Sequence, residues 1–145
     1  MPGSLKSSAL IGAWCLQSWS LIYSDGRAPE YPLGENALGL IMYTPGGQVS
    51  ATLMRGQRAT EAPTSQVEKA TAYADSFAYA GRYEVRGGTV FHTIEIATNP
   101  ALIGLTSTRH ITLERDKLTL EGPDFSAGSQ RTQQIVWRRA SPASA

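Results

Sequence analysis

The chain of 145 residues carries one cysteine, Cys15, so no internal disulfide can form and a reducing, cytoplasmic setting is expected. No apolar run approaches the roughly 20 residues that a bilayer-spanning helix needs, so no membrane partner is expected. Met1 to Ser8 lacks a basic segment followed by an apolar stretch, which argues against a secretory signal. An excess of one charge is missing too: 13 Lys and Arg against 12 Asp and Glu leave a formal charge of +1. The densest basic clusters are Arg55 with Arg58 and Arg138 with Arg139. Both are too short to build the basic face that nucleic acid would require.

Several chemistries are excluded by what is absent. There is no Gly-x-Ser-x-Gly elbow for an acyl hydrolase. Gly46-Gly47 and Gly87-Gly88 read as hairpin turns rather than as phosphate-cradling loops or a dinucleotide fingerprint, so no cofactor is expected. The two histidines, His92 and His110, fall on opposite faces of a strand pair, which leaves no zinc site. Cys15 has the opposite strand parity to Trp14 and is expected to be a small packing residue.

What the chain does have is alternation with period two. Gly12 to Tyr23, Leu38 to Thr44, Gln48 to Met54, Arg82 to Val85, Thr89 to Thr98, Ile103 to Arg115, Lys117 to Glu121 and Thr132 to Arg139 all read as strands. Between the third and fourth, Thr64 to Ala80 changes to helical spacing, with Thr64 or Ser65 as N-cap and Gly81 as the stop. Arg27 to Ala37 and Gly122 to Gln130 read as loops, and Ala140 to Ala145 as a tail. A single domain with its core at about 10–139 is expected, long enough to bury roughly two-thirds of its unfolded surface. Gly12 to Tyr23 would span on the order of 40 Å, a length that bends around a barrel more readily than it lies flat. The expected fold is all-β: an eight-stranded antiparallel barrel with one inserted helix, wide enough inside for one small ligand.

The fifth and sixth strands carry the most informative polar residues. His92 shares an apolar face with Val90, Ile94 and Ile96, and Arg109 shares one with Leu105, Ile111 and Leu113. If Asn99-Pro100-Ala101-Leu102 makes the turn, Thr98 meets Ile103 and His92 stands directly opposite Arg109. Buried polar groups of this kind are costly unless paired or used. Burial and a neighbouring guanidinium would both lower the histidine pKa and keep the ring neutral. A neutral imidazole can abstract a proton, and a guanidinium can stabilise the resulting oxyanion.

Gly12-Ala13-Trp14 has the Gly-x-Trp form that opens lipocalin barrels. With Pro32-Leu33-Gly34-Glu35-Asn36, Ile41-Met42-Tyr43-Thr44-Pro45-Gly46-Gly47, Ala78-Tyr79-Ala80-Gly81-Arg82-Tyr83-Glu84-Val85, His92, Glu95, Gly104, Arg109 and Leu118-Thr119-Leu120, the chain resembles the small lipocalin-like domain family of bacteria and fungi. The resemblance runs from about Leu10 to Arg138. It implies a barrel around a small-molecule cavity, and some lipocalin-like barrels act in natural-product pathways as cofactor-free cyclases or isomerases. The chain departs from that family at Thr93, where a second histidine often follows the first. In such barrels an arginine often packs on the Gly-x-Trp tryptophan, a task assigned here to Arg138.

These readings converge on a cofactor-independent isomerase, cyclase or lyase for a hydrophobic, oxygenated small molecule. His92 would be the acid/base, Arg109 the oxyanion clamp, and Tyr43 or Tyr79 the proton partner. Trp19, Phe77, Tyr83 and Ser107 would contact the ligand, with Tyr79 at the end of a helix covering the mouth. Glu95 points away from His92 and would lie at the surface or in a homodimer contact. The alternative is a carrier in which the same residues only orient the ligand.

Overall fold

A computed structural model describes residues 5–58, 60–123 and 131–141. Eight antiparallel strands close into a barrel in sequence order: β1 (Gly12–Tyr23), β2 (Leu38–Tyr43), β3 (Gln48–Met54), β4 (Ser76–Arg86), β5 (Thr89–Ala97), β6 (Thr106–Glu114), β7 (Lys117–Pro123) and β8 (Arg131–Arg139). Closure comes from β8 pairing with β1, with Trp14 opposite Arg139. Every strand therefore has two partners, and no edge is left exposed.

Alternation places one set of side chains inside. Ile41 and Tyr43, Val49, Ala51 and Leu53, Val90 and His92, Leu118 and Leu120, and Trp137 are all buried. One end is plugged. A short 3-10 turn at Ser7–Ala9 brings fully buried Leu10 beneath the barrel, and Trp14 Nε1 donates to the Leu10 carbonyl at 3.0 Å. The arginine over the Trp14 ring is Arg139, at 4.1 Å, and not Arg138. Arg139 shares inward parity with Trp137 and pairs directly with Trp14, whereas Arg138 pairs with outward-facing Cys15. Arg139 also donates to the carbonyls of Ile11 and Ala9, at 3.1 and 3.2 Å. Cys15, expected as a packing residue, is exposed, because its parity on β1 turns it outward opposite Arg138.

The helix is shorter than its apolar spacing suggests. α1 spans Gln66–Ala74, capped by Ser65 and Glu68 in a reciprocal capping box. It ends at Asp75 and not at Gly81. From Ser76 the chain is already strand, and Phe77 and Tyr79 stand opposite Leu53 and Ala51. Phe77, Tyr79, Gly81, Tyr83 and Val85 form an unbroken period-two series, and tertiary pairing with β3 overrides the local helical spacing.

Two bulges move side chains between faces. The β1 register shifts between Leu16 and Ser18, so inward parity passes from Trp14 and Leu16 to Trp19 and Leu21. Between Ala80 and Gly81 the β4–β5 register also shifts, leaving Glu95 as the extra residue. Beyond that bulge Ile96, expected inside with His92, is 68% exposed. A Cβ on Gly81 would lie 1.9 Å from the Thr93 carbonyl oxygen, so the bulge requires glycine there. Glu95 lies outside and pairs with Arg82 at 3.5 Å.

The β5–β6 connection is longer than a four-residue turn. It contains a 3-10 turn at Pro100–Leu102 and Gly104 at φ +89°, and β6 pairing begins only at Thr106. Gly122 and Pro123, expected in a loop, belong to β7, while residues 124–130 of that expected loop lie outside the described residues. No helix among the described residues is long and apolar enough to cross a membrane.

Candidate functional site

The longer β5–β6 connection changes the register around His92. Ser107 stands opposite His92, and Val90 opposite Arg109. The expected His92–Arg109 pairing is therefore displaced by two residues. An even displacement preserves parity, so both side chains still point inward.

A cavity of about 640 Å³ occupies the barrel above the plugged end. Tyr73 and Ala74 of α1 and Thr98, Asn99 and Leu102 of the β5–β6 connection surround it at one end, and Trp137 borders it towards the other. Its wall is largely apolar, with Phe77, Ile94, Leu105 and Ile135 among its residues. This volume suits a drug-sized ligand. Of the residues expected to face a ligand, Trp19, Phe77, Tyr79, Ser107 and Arg109 do so.

Tyr43 and Tyr83 do not line the cavity. Tyr83 Oη donates to the Thr44 carbonyl at 2.8 Å, and its ring packs edge-on against Tyr43 at 4.8 Å. Both tyrosines lie beside the β2–β3 turn: Tyr43 ends β2, and the Tyr83 N–H donates to the Gly47 carbonyl at 2.9 Å. His92, also off the cavity wall, lies between two phenols. Its Nε2 is 2.8 Å from Tyr43 Oη, and its Nδ1 is 3.0 Å from Tyr79 Oη. Tyr79 alone of the three reaches the ligand space.

Electrostatics fixes the protonation of this chain of groups. Burial lowers the His92 pKa from its ordinary 6.5 to about 3, and the Arg109 guanidinium pushes in the same direction. Burial raises Tyr79 to about 12, opposed in part by Arg109. Tyr43 is raised well above its usual value by burial first and by the neighbouring tyrosines second. At neutral pH the imidazole is uncharged and both phenols are protonated. A neutral imidazole has one donor and one acceptor nitrogen. One tautomer therefore gives a directed chain in which Tyr43 donates to Nε2, Nδ1–H donates to Tyr79, and the Tyr79 hydroxyl proton is left for the cavity.

Arg109 lies across Gly122 of β7. A Cβ at Gly122 would come within 2.8 Å of the Arg109 Nη1 and 2.5 Å of the Thr108 carbonyl oxygen. The missing side chain makes room for the guanidinium, whose Nη1 also donates to the Thr108 carbonyl at 3.0 Å.

A family model for the lipocalin-like domain matches residues 11–140. The chain belongs to that family. No curated protein matches it. Lipocalin-like barrels enclose small hydrophobic ligands, and the cavity above the Trp14 plug is the corresponding space in this one.

Gln133 and Trp137 are among the cavity residues that escaped the sequence reading. Gln133 and Trp137 follow the same alternation as Ile135 on β8, and extending the inward series along that strand finds both. Trp19 Nε1 donates to Gln133 Oε1 at 3.1 Å. The Trp137 Nε1 is buried and has no hydrogen-bond partner among the described residues. His110 is exposed on the outer face opposite Thr89, so the two histidines are on different sides of the wall. Thr93 also faces outward, where its hydroxyl is 3.3 Å from that of Thr106.

Proposed function

We propose that this lipocalin-like barrel takes a hydrophobic, oxygen-bearing small molecule into its cavity and acts on it without a cofactor, as an isomerase, cyclase or lyase. The observation that carries the reading is the buried chain Tyr43–His92–Tyr79, which ends on the cavity wall. A chain of donors aimed at one point polarises its last member, and a hydroxyl so placed can hydrogen-bond a carbonyl oxygen in the dry interior. Tyr79 is the catalytic residue in this reading. His92 and Tyr43 act through it as positioning residues, so His92 is not itself the base. Arg109 supplies positive charge where an enolate oxygen would develop. As the α C–H proton leaves to water, its electron pair moves towards the carbonyl oxygen held by Tyr79 and Arg109.

A carrier function is the second reading, and one observation favours it. Among the described cavity-lining residues there is no carboxylate or imidazole to serve as a base. Hydrogen–deuterium exchange separates the two. With 2-tetralone in D2O, the catalytic reading expects the wild type to accelerate exchange of the α-protons, and Tyr79→Phe to abolish that acceleration while retaining binding. Bound ketone with no accelerated exchange in the wild type would establish the carrier.

A further inference from the structure

Gln133 is an amide with one end already used. Trp19 Nε1–H is a donor only, so the atom 3.1 Å from it must be the carbonyl oxygen of Gln133. The donor-only indole thus fixes the orientation of the amide. The Nε2 group has no acceptor among the described residues, yet Gln133 lines the cavity. Gln133 has inward parity with Ile135 and Trp137, and it pairs with Gly122 on β7, the glycine over which Arg109 lies. Arg109 and Gln133 thus meet at Gly122 from the two strands beside β7, and both line the cavity. Both present N–H donors, and the acceptor that Gln133 could have offered is occupied by Trp19.

We propose that Gln133 is a ligand-binding residue, held by the Trp19 indole so that its amide N–H groups face the cavity, and that this selects apolar molecules bearing a carbonyl-type oxygen. The inference rests on the reading that the cavity takes a ligand, and it adds the class of polar group recognised. A ligand whose polar group can only donate finds no partner on this part of the wall. Trp19 serves here as a positioning residue, acting through Gln133.

The test uses a matched set of equal carbon skeleton: 2-tetralone, 2-tetralol and tetralin, titrated calorimetrically into wild type, Gln133→Leu, Gln133→Glu and Trp19→Phe. Gln133→Leu should lower the ketone-to-hydrocarbon affinity ratio about 3–10-fold, the worth of one neutral hydrogen bond. Gln133→Glu, nearly isosteric and able to carry the test should the leucine variant not fold, replaces a donor by an acceptor and should shift preference from ketone to alcohol. Trp19→Phe frees the amide to turn over, so it should lower the same ratio by a smaller factor. A purely structural role for either residue would weaken all three ligands alike. An unchanged ketone-to-hydrocarbon ratio in Gln133→Leu and Gln133→Glu, with binding intact, overturns this inference and leaves the cavity reading standing. Failure of all three compounds to bind wild type overturns both.

Discussion

Acid should destabilise this barrel through one residue. His92 is 2% exposed, and its pKa falls from 6.5 to about 3 on folding, mainly through burial. The folded state therefore leaves the ring neutral while the unfolded chain protonates it below pH 6.5. Between those values the unfolded state binds one more proton, so stability falls as pH falls. Above pH 6.5 the group contributes no pH dependence, and below about 3 the loss is complete. From pH 7 to pH 5 the expected loss is about 2 kcal/mol. That figure hardly depends on how deeply the folded pKa is depressed, since any folded value below about 4 gives nearly the same result. Glu68, lowered to about 2 by its capping hydrogen bonds, and Asp25, lowered by its bond to Arg27, titrate below this window. Urea unfolding of wild type and His92→Gln at pH 7, 6 and 5 measures the effect. The wild type should lose about 2 kcal/mol more than the variant, or roughly 5–10 °C in Tm for a domain of this size. Comparing slopes removes the cost of the substitution itself. Parallel pH profiles would refute the burial argument, because a histidine that stays neutral only in the folded state must leave this signature.

Two further substitutions test the frame around the site. Gly81→Ala should destabilise by about 3 kcal/mol, at the upper end of overpacking penalties, because its new Cβ meets the Thr93 carbonyl within the sheet ladder; chemical denaturation with unchanged stability would show that the β4–β5 bulge is elsewhere. Arg139→Ala should cost about 1–2 kcal/mol through lost contacts with the Trp14 ring and two carbonyls, while Arg138→Ala stays within about 0.5 kcal/mol. Equal thermal shifts for the two arginines would reverse the assignment of which one seals the barrel.

The eight strands were legible because hairpin glycines and period-two patterns recur along the chain, and for β1 and β3 even the ends agree with the structure. What alternation cannot see is a bulge. One unpaired residue at Glu95 reverses every later side chain on β5, which is why Ile96 looks like a core residue and is not. Helical spacing fails just beyond the bulge, where the start of β4 meets the end of β5. Val67, Ala70, Ala74, Phe77 and Ala78 fit a helix face, but α1 buries none of its residues, and Phe77 gains its partners only by joining the sheet. Tyr79 moves with it from a covering helix into the barrel wall.

His92 and Arg109 remained inside for a reason that is arithmetic rather than chemical. The β5–β6 connection takes five residues (94–98) from the β5 side of the expected ladder and three (103–105) from the β6 side, and the difference of two is the side-chain period of a strand. A displacement of one would have put Arg109 in solvent. The same arithmetic separates their roles. Two residues along β6 from the rung of His92, Arg109 lines the ligand space and bears on the imidazole through its field, whereas the direct partners of His92 are Tyr43 and Tyr79. Sequence parity could show which residues face inward. It could not show that β4, arriving as a strand where a helix was expected, would place a phenol between the histidine and the cavity.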